Sequence, residues 1–181
     1  MDNTERKSMK MSYGRFALMI IAATVIMYGL MYLNVYVLSH IEFSQMRIWM
    51  AILMGAVMAI VMLGFMWSMY RSAKANIAIV ISNVAAFAIA LWLARSQTTV
   101  DDISYMRAMI PHHSIAILTS ERARIRDPRV RKLADGIIRA QLKEIEEMQQ
   151  LIADLETNPP ANDTPVLRSY RTLGLPPPKP Q

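Results

Sequence analysis

Ile48-Trp-Met-Ala-Ile-Leu-Met-Gly-Ala-Val-Met-Ala-Ile-Val-Met-Leu-Gly-Phe-Met-Trp-Ser-Met-Tyr70 contains no charged side chain. A helix needs about 20 apolar residues to cross the hydrocarbon of a bilayer, and this run is long enough. Two more uncharged runs flank it, Phe16–Leu38 and Asn76–Ala94. The connections between them, Ser39–Arg47 and Arg71–Ala75, are short, so the three spans are expected to run up, down and up. The first run is too long for a signal peptide, and no small-residue cleavage site follows it ahead of a soluble domain. Composition agrees. Hydrophobic residues make up 54% of 181 and the mean hydropathy is +0.23, more apolar surface than a soluble core of this size needs.

Charge sets the expected orientation. Arg6, Lys7, Lys10 and Arg15 precede the first span, and Arg71 and Lys74 follow the second. The opposite side has only Arg47 in its loop, then Arg95, Asp101 and Asp102. The positive-inside rule puts the N-terminus in the cytoplasm and the C-terminal part outside, in the periplasm if the membrane is a bacterial inner membrane. Tyr32, Tyr36, Trp49, Trp67, Tyr70 and Trp92 lie near span ends, where aromatic rings anchor at the interface. The net charge of +6 is dispersed, with no basic block interleaved with aromatics, so nucleic acid is not an expected partner. The chain has no Cys, which excludes disulfides, thiolate metal sites and Cys nucleophiles.

Methionine is abundant, 16 in all. Met46, Met50, Met54, Met58, Met62 and Met66 recur at every fourth residue of the second span, and Met19, Met27 and Met31 keep that spacing on the first. Ala51, Gly55 and Ala59 run one residue ahead, a small-xxx-small stripe suited to close helix contact. One reading of the Met stripe is packing, since Met fills irregular gaps. The other is a thioether ladder that conducts Cu(I).

After Arg95 the composition changes. Thr99-Val-Asp-Asp102 reads as a capping box with Thr99 as N-cap. The helix it opens carries Asp102, Met106, Met109, His113, Ala116 and Ser120 on one face, with Ile103, Ile110 and Ile117 beside it. Pro111 is expected to interrupt and kink this helix just before His112 and His113. Asp127-Pro128 opens a second helix, Asp as N-cap and Pro at the first position, running to about Glu156. Its expected buried seam is Val130, Ala134, Ile137, Gln141, Ile145, Met148, Ile152 and Leu155. From Thr157 the chain is Pro-rich, an extended or disordered tail in which Leu167–Leu173 could form one docked turn.

Met109-Ile-Pro-His-His113, Ala116-Ile117, Asp127-Pro128, Leu133-Ala134, Ile137-Ile138, Gln141, Glu144-Ile145 and Met148 together resemble the DUF305 family, whose pattern is an M-x-P-H-H helix followed by a Q-x-x-E-I-x-x-M helix. The resemblance covers Asp101 to Leu155 and leaves the spans outside. It implies a ferritin-like, exported helical module, of a family in which some members are implicated in binding and tolerance of copper or silver. It places Met109, His112, His113 and Met148 on ligand positions, with Gln141 and Glu144 as polar positions that orient them. Leu118, Thr119 and Ser120 depart from the pattern, so a carboxylate and a thioether of other members are missing here. Met106, one turn before Met109, is the substitute.

The expectation is thus an all-α chain with a cytoplasmic arm at 1–15 and a three-helix transmembrane domain at 16–95. An external helical hairpin at 96–156 and a tail at 157–181 follow. A two-helix hairpin cannot bury its seam alone, so a dimer completing a four-helix bundle is expected, or docking on the spans. The expected function is binding of a soft ion, Cu(I) or Ag(I), for sequestration, delivery or tolerance, with metal-trafficking proteins as possible partners. His40 and Met46, on the same side of the membrane, are accessory candidates. The competing readings are a structural or oligomerisation module, with His113 a core histidine bonded to Gln141 or Glu144, and the Cu(I) conduit. An enzyme is not expected. Glu-x-x-His, the di-iron signature, does not occur, and Ser114 beside His113 lacks an orienting acid and an oxyanion site.

Overall fold

The computed structural model describes residues 13–70, 72–161 and 163–167. Arg6, Lys7, Lys10 and Arg71, on which the orientation partly rests, lie outside these, as do Asn162 and the tail from residue 168. The described chain is all-α, with no strand. Its helices are α1 (Tyr13–Leu30), α2 (Gln45–Phe65), α3 (Ala73–Ser96), α4 (Asp102–Arg122) and α5 (Pro128–Thr157). Single 3-10 turns lie at Leu38–His40 and Trp67–Met69. The helices α1, α2 and α3 are each long and apolar enough to cross a membrane. Their outward apolar side chains, such as Ile21, Val25, Ile81 and Trp92, are exposed, as a lipid-facing surface would have them.

The packed face of α2 is the small-residue stripe. Ala51, Gly55, Ala56 and Ala59 are buried, with Leu63 below them. At Gly55 an added Cβ would lie 2.5 Å from Thr24 Oγ1, so α1 crosses α2 at a point that tolerates no side chain. Toward the opposite end, Phe16, Ala59, Leu63 and Tyr70 form one cluster, joined by Met62 and Met66.

In the second unit, α4 and α5 form an antiparallel hairpin. Met106, Ile110 and Ile117 of α4 pack against Ile145 and Ile152 of α5, with Ile138, Met148 and Leu155 alongside. Asp127 caps α5 by accepting the Arg129 amide at 2.8 Å, and Pro128 occupies the first turn, as the sequence predicts.

Several expectations are corrected. The first span ends at Leu30, not Leu38, because the chain leaves the helix to bring Tyr36 and His40 against α4. The second ends at Phe65, and the chain then tightens into a 3-10 turn. The N-cap of α4 is Asp101, not Thr99: its carboxylate accepts the Ser104 amide at 2.7 Å, while the Thr99 hydroxyl donates to Gln45 Oε1. Pro111 does not interrupt α4, which is helical on both sides of it. The missing amide removes one bond, and the ring is held fully buried. Val130 and Ile137 are exposed and Ile138 takes the inward place, since α5 turns its seam slightly toward α4.

Candidate functional site

Helical spacing decides which side chains meet. On α4, residues 106, 109 and 113 fall on the surface that faces α5, and on α5 residues 144, 147, 148, 151 and 155 answer them. Between the two helices lies a cavity of about 540 Å³. Met106, Met109, Met148, His113, Asp102, Glu144 and Glu147 line it, with Tyr105, Leu151 and Leu155 completing the wall.

His113 is held at both nitrogens. Its Nδ1 lies 2.9 Å from the Met109 carbonyl oxygen and its Nε2 2.9 Å from Glu144 Oε2. A carbonyl only accepts, so Nδ1 carries the hydrogen. Nε2 then either donates a second proton to the Glu144 carboxylate or offers its lone pair elsewhere. The Glu144 contact is the one expected of a core histidine; the Nδ1 bond to a carbonyl would also suit a ligand at Nε2 if Glu144 moved aside. The imidazole is largely buried, whereas Glu144 is half exposed and can move aside.

The adjacent His112 turns away. It is exposed and lines a second cavity, of about 330 Å³, with Met46, Arg47, Ser44, Gln97 and Ala108. Met109 and Tyr105 border both cavities. Gln141 is half-buried, lines neither and makes no side-chain hydrogen bond among the described residues. Met46 shares a cavity with His112, not with His113. His40 meets neither: its Nδ1 lies 3.0 Å from Ser114 Oγ. Of the sequence candidates, the structure therefore gathers Met106, Met109, His113, Met148 and Glu144 on one cavity, leaves His112 and Met46 beside Met109 on the other, and places His40 and Gln141 on neither.

Ser114 was not a sequence candidate. It is fully buried, and its oxygen also accepts the Tyr36 amide at 2.8 Å. The same oxygen lies 3.0 Å from His40 Nδ1, so one buried hydroxyl joins the Tyr36 amide and the His40 ring. Burial pushes the His40 pKa below the ordinary value. The signal was present: a lone hydroxyl inside an Ile110–Ile117 apolar face must find a partner when buried. Arg107 is a second tie, ion-paired with Glu42 of the α1–α2 connection and with Glu156 at the end of α5. At the start of α4, bonds from the Ser104 hydroxyl and amide hold the Asp101 carboxyl below the usual range.

Among the described residues no group of three or more His, Cys, Asp or Glu side chains gathers to hold a metal ion. A site here would draw on sulfur. Thioether and imidazole donors suit a soft ion, and the donor set would hold Cu(I) or Ag(I) better than Zn²⁺, Mg²⁺ or Ca²⁺.

Comparison with known proteins gives a family match that begins at α4 and runs past the end of α5. Residues 102–170 match the model of a domain of unknown function, DUF305. An uncharacterized protein of Acanthamoeba polyphaga mimivirus is 36% identical over 102 residues, covering 52% of this chain and 67% of its own length. No solved structure matches the chain significantly. The M-x-P-H-H helix and its Q-x-x-E-I-x-x-M partner form one hairpin within the matched segment, and through that domain the chain belongs to the DUF305 family.

Proposed function

We propose that this chain is a membrane-anchored module that binds a soft monovalent cation, Cu(I) or Ag(I), on the outer face of a cell membrane. The observation that carries the reading is the convergence of Met106, Met109, Met148 and the His113 imidazole on one cavity, with Nδ1 of His113 already committed to a carbonyl. An ion at Nε2 takes the place of the Glu144 contact. Glu144 and Glu147 then offset its charge from beside it, so binding and not catalysis is the role of the site. The N-terminus lies in the cytoplasm by the distribution of Lys and Arg. The task is sequestration or delivery, and the three spans serve as the anchor. Packing of the Ala51–Gly55–Ala59 face, with Met62 and Met66 in the apolar cluster, supports a structural role for the Met stripe over a conduit.

A second copy completes the bundle. Val130 and Leu133 are 49% and 61% exposed on α5, and Ile137 follows them along the same side. That stripe supports a dimer with a ferritin-like four-helix core.

The test is competition of full-length detergent-solubilised protein with a chromogenic Cu(I) chelator. One ion per chain is expected. Replacing Met106, Met109 and Met148 together by Leu, or His113 by Phe, should weaken binding by roughly a factor of ten or more, the scale on which site changes act. A wild-type protein that removes no Cu(I) from the chelator overturns the proposal.

A further inference from the structure

We infer that the second cavity is a phosphate-binding site, built around Arg47 and used by a phosphate group at the membrane surface. Arg47 is 9% exposed. Its Nη1 is buried without a hydrogen-bond partner, and among the described residues its guanidinium forms no ion pair. The nearby carboxylate of the connection, Glu42, faces Arg107 instead. The contact that holds Arg47 is a ring: the guanidinium carbon lies 4.2 Å from the centroid of Tyr32. A ring face steadies a cation but does not accept its N–H groups in the plane. A buried, unpaired guanidinium is strongly unfavourable unless an anion completes it.

The surroundings select the anion. Arg47 is in the first turn of α2, whose positive dipole end is opposed by the C-terminal ends of α1 and α3 on the same side, so the charge that recruits an anion is the guanidinium itself. The cavity beside it of about 330 Å³ is open to solvent and offers no carboxylate on its lining. Across it stands His112, with imidazole N–H to donate. A planar fork of donors pairs with phosphate through two parallel hydrogen bonds. Position points to the same group. Ser44 and Arg47 begin α2, Gln97 ends α3, and Tyr32 follows α1, so the cavity sits at one end of the three apolar helices. In a bilayer that end is at the depth of the phospholipid phosphates.

His112 and His113 therefore serve opposite charges. A cation held by His112 would face the Arg47 guanidinium, whereas His113 faces carboxylates and thioethers across the helix.

The test uses the full-length protein, stripped of lipid in a non-ionic detergent, with native mass spectrometry and thermal unfolding as readouts. The probes are dioleoylphosphatidylglycerol, dioleoylglycerol without a phosphate, and inorganic phosphate. Wild type should retain one phosphatidylglycerol per chain and gain several degrees of thermal midpoint, while dioleoylglycerol gives neither. Arg47→Gln should lose both effects. Should Arg47→Gln fail to fold, His112→Phe, at an exposed position, should bind phosphatidylglycerol at least fivefold more weakly. A midpoint gain from inorganic phosphate alone, lost in the same variants, supports the site with free phosphate as its source. Equal response to dioleoylglycerol and phosphatidylglycerol, no response to either phosphate source, or unchanged binding in the folded variants overturns it. None of these outcomes depends on Cu(I), so the cation proposal stands or fails separately.

Discussion

Ser114→Ala is the sharpest probe of how the DUF305 hairpin is fastened to its anchor. The serine is fully buried and serves two partners, the Tyr36 amide at 2.8 Å and His40 Nδ1 at 3.0 Å. Alanine fits the space but leaves both without a partner. A buried polar group left unsatisfied costs about 1–3 kcal/mol. Tyr36 belongs to an exposed stretch and its amide can rehydrate, and the His40 ring keeps some contact with solvent, so the low end applies to each and the sum is about 2 kcal/mol. At 1.36 kcal/mol per factor of ten, that is roughly 30-fold in the opening equilibrium of the junction. Hydrogen exchange read by mass spectrometry on the segment containing Tyr36 should accelerate by about that factor, while α5 amides around Ile145 keep their rates. His40→Ala in the Ser114→Ala background should add little, because the bond is already gone. Unchanged exchange at Tyr36, or fully additive single effects, would refute the clamp.

Two further outcomes follow from the geometry. Gly55→Ala should destabilise the spans by about 1–3 kcal/mol, the usual cost of overpacking, because its Cβ meets Thr24 Oγ1 at 2.5 Å; Thr24→Ala, which among the described residues removes a bond to Ile20 O of its own helix, should restore most of the loss in thermal unfolding, and failure of that rescue removes the crossing point. The junction should also respond to acid. The folded His40 pKa lies below the unfolded value of about 6.5, since burial disfavours the charged ring, so the unfolded state binds the extra proton first. The stabilisation is fully present above about 6.5 and is lost as pH falls through the lower folded value. The Tyr36 segment should exchange faster at pH 5 than at pH 7.5 after correction for intrinsic rates, and His40→Phe should flatten that difference.

The helices were legible because each carries its own signal. Uninterrupted apolar runs mark α1 to α3, and Asp127-Pro128 marks the start of α5. Boundaries failed where a distant partner decided them. Leu33, Val37 and Leu38 are as apolar as any helical residue, yet the chain uncoils before them because Ser114, far along the sequence, takes the Tyr36 amide. Thr99 and Asp101 are both competent caps, and the engagement of Thr99 with Gln45 left the role to Asp101. Pro111 carries the sequence signal of a break, the missing amide, but sequence does not show the enclosure in which the helix continues across it. The site was half legible. Spacing of three and four puts Met106, Met109 and His113 on one face and His112 about 100° away, beside Tyr105 and Ala108; that Met46 and Arg47 of α2 share its cavity is not legible in the sequence. Arg47 looked like an ordinary loop charge until its burial and want of a partner were seen together.

Tyr105 and Met109 border both cavities. A single thioether cannot point into two cavities at once, so an ion that draws the Met109 sulfur toward α5 withdraws it from the side of Arg47. Under the two proposals, a cation in one cavity and a phosphate in the other would compete for the position of that side chain, and any coupling between them would change both affinities by the same factor. Met109→Leu would uncouple them, and the measure is the ratio of ion affinities with the α2 side filled and empty.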